Sequence, residues 1–252
     1  MVGWFRRVRN EAAPPSIGDD RLVYAIGDIH GRADLLGQLL DLIAQDVAGR
    51  PRLPIHLVLL GDLVDRGPHS AQVVTHAISL SQAGSHVHIL KGNHEEVFVL
   101  AARGDPRAAR TLRRIGGIAT LESYGLAADG GAAMDDDEIA GWLLNHVPRA
   151  HVDFLDGLPD RLEMRDYLFV HAGVRPHVPL ADQDPADLRW IRQEFLNHGR
   201  SFGPMVVHGH SITDDVDERA NRIGIDTGAW SSGRLTALGL HGADRWTLQT
   251  GG

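Results

Sequence analysis

Three short apolar runs, each ending at once in a polar cluster bounded by glycine, constrain most strongly what this chain can fold into. Leu22–Ile26 precedes GDIHG, residues 55–60 precede GDLVDRGP, and residues 87–90 precede KGNHE. Runs that are short, apolar throughout and separated by segments with helical spacing are typical of buried parallel strands in β-α-β-α-β order. The sequence therefore predicts an α/β fold that begins with three parallel strands.

The second half of the chain repeats this arrangement. Tyr167–Val170 ends in HAG, residues 205–207 end in HGH, and residues 222–225 end in DTG. Similar patterns predict helices at 70–82 and 187–196 and a closing antiparallel pair of strands at 234–240 and 245–248. Because ligands of open α/β sheets bind at the carboxyl ends of the strands, we expect the polar clusters to share one edge of a single sheet.

The domain organisation follows from where the pattern of apolar runs and polar clusters begins in the sequence and where it weakens. Residues 1–20 predict a flexible N-terminal arm, and residues 21–252 predict a single domain. Within that domain, residues 96–165 are mostly helical in pattern and are interpreted as an insertion that covers one side of the strand ends. Asp135 is expected to cap a helix that runs to His146.

Composition excludes several classes of function. The chain of 252 residues has no cysteine, which excludes disulfides, thiolate metal sites and iron–sulfur clusters. A net charge of −8 argues against stable binding of nucleic acid through a basic surface. No stretch approaches the roughly 20 apolar residues of a membrane span, and we expect a cytoplasmic protein. Histidine is abundant instead, with 15 residues.

The polar clusters offer oxygen and nitrogen ligands only. Carboxylates and imidazoles gathered on one rim would repel one another or stay unpaired without cations. Oxygen and nitrogen ligands suit Mn²⁺, Fe or Zn²⁺, and the number of acidic groups points to two metal ions rather than one. The candidate residues at the strand ends are Asp28, His30, Asp62, Asp65, Asn93, His94, His171, His208 and His210.

Taken in order, the motifs resemble a known signature. GDIHG (27–31), GDLVDRGP (61–68), GNHE (92–95), HAG (171–173) and GH (209–210) are similar to those of bacterial phosphoprotein phosphatases of the Ser/Thr type. These proteins belong to the calcineurin-like metallophosphoesterase superfamily. The resemblance implies a central β-sandwich flanked by helices, in α-β-β-α layers, and two divalent metal ions, with Mn²⁺ expected in vitro and Fe or Zn as alternatives.

The resemblance also implies the metal ligands. Asp28 and His30 would hold the first ion, and Asp62 would bridge both ions. Asn93, His171 and His210 would complete the second site. His210 is preferred to His208 because the ligand of the family directly follows the small residue, which is Gly209 here.

Catalytic roles are implied in the same way. His94 would be the general acid that protonates the leaving oxygen, oriented and kept protonated by Asp65. Arg66, Arg192 and Asn93 would bind the substrate phosphate while a metal-bridging hydroxide attacks the phosphorus directly. Asp226, in the IDTG stretch, either orients a ligand histidine or serves a turn.

Departures from related branches bear on the substrate. Ile212 stands where nuclease and phosphodiesterase branches have a second histidine, which argues against those branches. Asp65 and Glu95 favour a phosphomonoesterase that acts on phosphoserine or phosphothreonine in proteins or peptides, with phosphotyrosine as a further class. The alternatives are a pyrophosphohydrolase of dinucleoside polyphosphates, such as diadenosine tetraphosphate, or of RNA ends, a small-molecule phosphatase, and an inactive metal-binding scaffold. The sequence leaves the oligomeric state open.

Overall fold

Two five-stranded sheets pack face to face in the computed structural model, which describes residues 13–84, 86–128 and 130–251. In chain order the strands are β1 Leu22–Ile26, β2 Ile55–Leu59, β3 Val87–Ile89, β4 Arg161–Met164, β5 Tyr167–Val170, β6 Met205–His208, β7 Asp217–Glu218, β8 Arg222–Gly224, β9 Thr236–His241 and β10 Asp244–Gln249. One sheet has the order β10-β9-β1-β2-β3 and the other β4-β5-β6-β8-β7. The predicted α/β class with a central β-sandwich is confirmed.

The first sheet contains the elements that the sequence predicted for it. β1 pairs in parallel with β2, and β2 pairs in parallel with β3. On the other side of β1, β9 and β10 form the predicted antiparallel closing pair. The first three polar clusters therefore lie at the same edge of one sheet.

The expectation that all clusters lie on a single sheet is wrong. β5, β6 and β8 are parallel to one another but form the second sheet, where β4 pairs antiparallel with β5. The apolar pattern could not distinguish these cases, because a strand covered by helices on one face and by a sheet on the other is apolar on both faces. In β1, Val23 faces the second sheet while Leu22 and Tyr24 face helices.

Three layers of buried side chains produce the α-β-β-α arrangement. Val23 and Ala25 of the first sheet pack against Phe169 and Val207 of the second, in the middle of the sandwich. The outer face of the first sheet is covered by the large core that includes Leu36 of the first helix. The outer face of the second sheet is covered by a smaller cluster around Leu188 and Phe195.

Helices cover the two outer faces of the sandwich. They are α1 Ala33–Ala48, α2 Ser70–Ala83, α3 Asn93–Ala102, α4 Pro106–Arg114, α5 Ile118–Ser123, α6 Gly130–Ala133, α7 Asp136–His146, α8 Arg149–Asp156, α9 Pro185–Trp190, α10 Gln193–Leu196 and α11 Ala229–Ser232. Within the described ranges, no helix combines the length and apolar character needed to cross a bilayer. The single helix predicted for 187–196 is instead α9 and α10, broken at Ile191 and Arg192.

The predicted helical insertion at 96–165 is helical through α8, but its last part is not. Residues Arg161–Met164 form β4, which pairs with β5, so the helical region ends before residue 161. Asp135 caps α7 as predicted, since its side chain accepts from the Glu138 amide at 2.8 Å. α3, α4, α7 and α8 pack on one another beside the first sheet.

The fold begins nearer the N terminus than the sequence predicted. Ile17 is fully buried, and its amide donates to the Gly242 carbonyl at 2.8 Å. The Ser16 amide donates to the Asp166 carboxylate at 2.9 Å. These residues therefore belong to the domain rather than to a flexible arm, while residues 1–12 of the predicted arm lie outside the described ranges.

Asp46 of α1 ties this helix to the central strand β1 and to the edge strand β10 of the first sheet. Its carboxylate accepts hydrogen bonds from the Tyr24 hydroxyl (2.6 Å), the Trp246 indole (3.0 Å) and the Arg50 guanidinium (2.8 Å). Burial opposes ionisation, but these donors outweigh it and lower the pKa of Asp46. Because its folded-state pKa is lowered, Asp46 contributes stability above its ordinary pKa of about 4, and this stability is lost as the pH falls further.

We expect the Asp46→Asn variant to be less stable than the wild type by about 1–3 kcal/mol at neutral pH, because a charged acceptor of three donors is lost. The difference should shrink as the pH falls below about 4. Urea unfolding at several pH values measures both effects. Asp41→Asn, an exposed change on the same helix, is the matched control. An Asp46→Asn variant as stable as this control would contradict the assignment.

Candidate metal centre and active site

The polar clusters meet where the carboxyl ends of the parallel strands of both sheets come together. The His30 amide donates to the Asp62 carbonyl at 2.8 Å, which joins the loops after β1 and β2. The Asp28 carboxylate accepts from the His210 amide at 3.0 Å, which joins the first sheet to the second. The strand-end placement expected from sequence is therefore observed, although two sheets supply it.

The backbone of these loops is strained. Seven described residues other than glycine have a positive φ, and five of them lie here: His30 (46°), Asp62 (49°), Asp65 (73°), Arg66 (69°) and His210 (61°). Such conformations cost of order 1–3 kcal/mol each and persist only where the surroundings enforce them. Their concentration at one edge marks it as a functional site.

Close approach of the loops also requires glycine. A Cβ atom on Gly209 would lie 2.0 Å from the Asp28 carboxylate, and one on Gly92 would lie 2.2 Å from that of Asp62. Both distances are far below van der Waals contact. The glycines in the GNHE and HGH motifs therefore let the backbone approach the carboxylates closely.

One group of possible ligand atoms joins His30, Asp62 and His94. The His30 Nε2 atom lies 3.5 Å from Asp62 Oδ2, and the His94 Nε2 atom lies 3.8 Å from the same oxygen. The other ring nitrogen of His30, Nδ1, lies 2.8 Å from the Val64 carbonyl, so it is the natural donor of the neutral ring. The Nε2 lone pair then points toward the acidic group.

A second group joins Asp62, His171 and His210. The His171 Nε2 atom lies 3.3 Å from Asp62 Oδ1 and 3.0 Å from the Asn93 side-chain oxygen, while its Nδ1 atom lies 2.9 Å from the Leu60 carbonyl. Asp62 is thus common to both groups, as the bridging role predicted from the resemblance requires.

Asp28 borders these groups without belonging to either of them in this structure. Its carboxylate lies against that of Asp226 and close to that of Asp62. Burial, together with these two carboxylates, raises the pKa of Asp28 well above its ordinary value. Asp28 is therefore positioned beside the first group, next to Asp62.

Several features fit a pair of cations. His210 Nε2 is buried and has no hydrogen-bond partner among the described residues, although it belongs to the second group. Burial lowers the pKa of His30 to about 3 and that of His210 to about 2, which keeps both rings in the neutral form that binds metals.

The charges of the site call for cations as well. Asp28, Asp62 and Asp226 are each only 2% exposed. The buried lysine and arginine of the described ranges pair elsewhere, Lys91 with Asp156 and Arg222 with Asp217. Buried carboxylates without compensating charge are costly, and oxygen and nitrogen donors suit hard or borderline divalent ions.

His94 has a carboxylate behind it and an arginine in front. Its Nδ1 atom lies 2.7 Å from Asp65 Oδ2, and its Nε2 atom lies 3.2 Å from Arg66 Nη2. Burial would lower the pKa of His94, but the charges of Asp62 and Asp65 outweigh it and raise the pKa. An imidazole held protonated in this way can donate a proton to a group bound at Arg66.

The two candidate phosphate-binding arginines stand on different sides of the centre. Arg66 is half-buried beside His94. Arg192 is exposed in the break between α9 and α10. The pKa of His210 is lowered mainly by burial and by the charge of His171, and the positive charge of Arg192 lowers it further. The broken helix thus brings Arg192 to the second ligand group. In the single helix predicted for 187–196, Arg192 would have been an ordinary helical residue.

The comparison with known proteins agrees with this geometry. Residues 22–226 match the family described as calcineurin-like phosphoesterase. The chain belongs to this family. The two buried groups of carboxylate and imidazole donors fit the metal-dependent chemistry of phosphoester hydrolysis.

Two relatives of the same name show which enzymes this chain resembles in sequence. A symmetrical bis(5'-nucleosyl)-tetraphosphatase of Janthinobacterium sp. (strain Marseille) is 34% identical over 296 aligned residues, with 90% of this chain and 94% of the relative covered. An enzyme of the same name from Acidovorax ebreus (strain TPSY) is 36% identical over 154 residues, which cover 61% of this chain and 44% of the relative. The chain thus matches less than half of the second relative's length.

A solved structure resembles the whole fold. The crystal structure of a protein proposed to be a diadenosine tetraphosphatase superposes with a TM-score of 0.62 at 20% identity, and the match covers 94% of this chain and 98% of the other. At this identity the likeness shows the fold alone.

Sequence reasoning missed two residues that support the family site. Glu95 is fully buried, and its carboxylate accepts from the backbone amides of Asp62 (2.8 Å), Leu63 (2.7 Å) and Gly92 (2.9 Å). The Thr120 hydroxyl, from the helical insertion, donates to Asp65 at 2.7 Å. Glu95 follows His94 in a motif and could have been assigned, whereas nothing in the local sequence marks Thr120.

The position of Glu95 corrects one argument about substrate. From sequence, Glu95 favours a phosphomonoesterase, but its carboxylate is occupied by backbone amides of the loop after β2 and is closed to solvent. It supports the loop that carries Asp62. Its burial leaves Glu95 no direct contact with a substrate.

The structure also decides between alternatives for His208 and Asp226. His208 is buried against Phe195, with its Nδ1 atom 3.0 Å from the Gly209 carbonyl, and it belongs to neither ligand group. Asp226 accepts from the Gly228 amide at 2.9 Å, which is the turn role. Its carboxylate also lies against that of Asp28, and the hydrogen bonds of the described residues include none from a histidine ring to Asp226.

Proposed function

We propose that this chain hydrolyses dinucleoside polyphosphates, with diadenosine tetraphosphate as the representative substrate. The observation that carries the proposal is the 34% identity to a symmetrical bis(5'-nucleosyl)-tetraphosphatase over nearly the full length of both chains. Symmetrical cleavage of such a tetraphosphate yields two nucleoside diphosphates. The alternative that the sequence analysis left open thus becomes the main proposal.

Six residues would hold two divalent ions in this proposal. Asp28 and His30 would hold the first ion, Asn93, His171 and His210 would hold the second, and Asp62 would contribute to both sites. When bound, the ions supply an activated water and withdraw charge from the phosphoryl oxygens. The strained loops are consistent with this role, because the surrounding contacts that enforce their backbone conformation also fix the positions of the ligand residues.

The remaining residues bind the phosphate chain and transfer a proton. Arg66 and Arg192, on opposite sides of the centre, bind phosphoryl oxygens, and the amide of Asn93 adds a further donor. His94 gives the proton on Nε2 to the departing bridging oxygen, while Asp65 holds Nδ1. Thr120 fixes the Asp65 carboxylate through its other oxygen, Oδ1.

A protein phosphatase is the second candidate. Asp65 favours it, because a protonated histidine is of most use when the leaving group is a poorly stabilised alkoxide, as in a phosphoserine ester. A nucleoside diphosphate is a better leaving group and needs this help less. The net charge of −8 disfavours the RNA-end substrate relative to both candidates.

A side-by-side assay tests the proposal. The Mn²⁺-loaded enzyme is given diadenosine tetraphosphate, a phosphoserine peptide and phenyl phosphate, and kcat/KM is measured for each. We expect kcat/KM for the dinucleotide to be at least about tenfold higher than for the other two substrates, which corresponds to about 1.4 kcal/mol of transition-state binding. ADP should be the only nucleotide product. A higher kcat/KM on the phosphopeptide would replace the proposed function with the second candidate.

A further inference from the structure

Two large apolar side chains are exposed on segments beside the active site. Trp230 of α11 is 41% exposed and Ile212 is 50% exposed. An added Cβ atom on Gly228, which comes two residues before Trp230, would meet the Ile212 side chain at 3.1 Å. Exposed apolar surface rimmed by polar residues is a feature of ligand-binding grooves.

Trp230 lies on the side of the proton donor. The guanidinium carbon of Arg66 is 5.4 Å from the centre of the Trp230 ring, and Nη2 of the same arginine is 3.2 Å from His94 Nε2. These contacts place the indole within about 10 Å of the nitrogen that protonates the leaving group. A diphosphate and a ribose span a distance of this order.

The helix that carries Trp230 is fixed to the body of the protein. The Arg32 guanidinium donates to the Ala229 carbonyl at 3.0 Å, and the Gly228 amide donates to Asp226 at 2.9 Å. Ala229, which precedes the tryptophan, is 1% exposed. A rigid aromatic ring loses little conformational entropy when a planar ligand binds to it.

We propose that Trp230 is the stacking surface for the base of the leaving nucleotide, with Ile212 extending the apolar contact. The inference rests on the proposed function and names a specificity-determining residue within it. Arg66 holds the phosphates nearest the reaction, and the nucleoside beyond them reaches the indole. A purine stacked on a tryptophan is held without sequence-specific hydrogen bonds, so different bases should be accepted.

A second half-exposed tryptophan, among the residues that the structure describes, differs in a way that supports the choice. Trp190 is 40% exposed, but its indole N–H donates to the Glu96 carboxylate at 2.8 Å. It lines a cleft of about 410 Å³ together with Arg192. Trp190 is therefore associated with the arginine on the side of the second ligand group, whereas Trp230 is associated with the arginine that touches the proton donor.

The test compares ligands with and without a base. ADP and inorganic pyrophosphate are measured as competitive inhibitors of the Mn²⁺-loaded wild type and Trp230→Leu variant, against whichever substrate the wild type turns over. We expect the inhibition constant of ADP to rise about tenfold to a hundredfold in Trp230→Leu, and that of pyrophosphate to stay unchanged. Trp230→Phe, which keeps an aromatic face, should retain most of the ADP affinity.

Leu144→Ala, a change at an exposed apolar residue of α7, is the control and should alter neither constant. Equal weakening of ADP and pyrophosphate in Trp230→Leu would mean that the indole acts only through Arg66, and unchanged ADP affinity would mean that it makes no contact with the base. Either result overturns the inference. A wild type that prefers the phosphopeptide overturns the proposed function instead, and the two failures are read from different measurements.

Discussion

Replacement of His94 by Asn lowers kcat by about 10²–10⁴-fold while two metal ions stay bound to each chain. Asn has a similar size but cannot give a proton to the leaving oxygen at neutral pH. The His94 Nε2 atom also lies within reach of His30 and Asp62 in one ligand group, so a metal-ligating role has to be tested directly. Elemental analysis alongside steady-state kinetics makes this separation.

The control for His94 is the carboxylate behind it. Asp65 raises the pKa of His94, so Asp65→Asn should lower that pKa and shift the alkaline decline of kcat to lower pH, because a general acid works only while protonated. Loss of an ion in His94→Asn would show that His94 is a ligand. A full complement of ions together with unchanged kcat would show that the histidine is neither ligand nor acid.

Replacement of Asp62 by Asn is expected to remove most of the bound metal and lower kcat/KM by at least about 10³-fold, since the ions supply several kcal/mol of transition-state stabilisation. Asp62 is the only residue common to both ligand groups of the described ranges, and its two oxygens face different histidines. An amide offers one weaker acceptor where the carboxylate offers two.

A chelator provides a readout of the Asp62→Asn variant that does not depend on activity. Bound ions stabilise the folded state by mass action, so a strong chelator should lower the Tm of the wild type and leave that of Asp62→Asn nearly unchanged. Asp65→Asn is the matched control, since it alters a buried aspartate of the same loop and should keep both ions. Two ions per chain in Asp62→Asn would refute the bridging assignment.

Much of the site could be predicted because its information is local. GDIHG and GDLVDRGP each place acid and imidazole groups directly after a buried strand, and parallel strands bring such groups to one edge. The choice of His210 over His208 also rested on a local feature, the glycine before it. The structure places His210 in a ligand group and His208 against Phe195.

The errors arose where local pattern is ambiguous. Strands of the second sheet are as apolar as those of the first, so residues 205–207 and 222–225 were assigned to the same sheet. Glu95 suggested a phosphomonoesterase because the sequence does not reveal that backbone amides surround its carboxylate. The pattern of residues 187–196 predicted one helix and gave no indication of the break that exposes Arg192.

The sequence by itself determined the donor types, their positions after the strands and the alternation of strands and helices, because each depends on residues that are neighbours in the chain. Only the tertiary structure decided that two sheets share the site, that Thr120 supports Asp65, and that Trp230 lies over Arg66. These contacts join residues far apart in the chain. They depend on how the layers pack, and no periodicity or spacing records that.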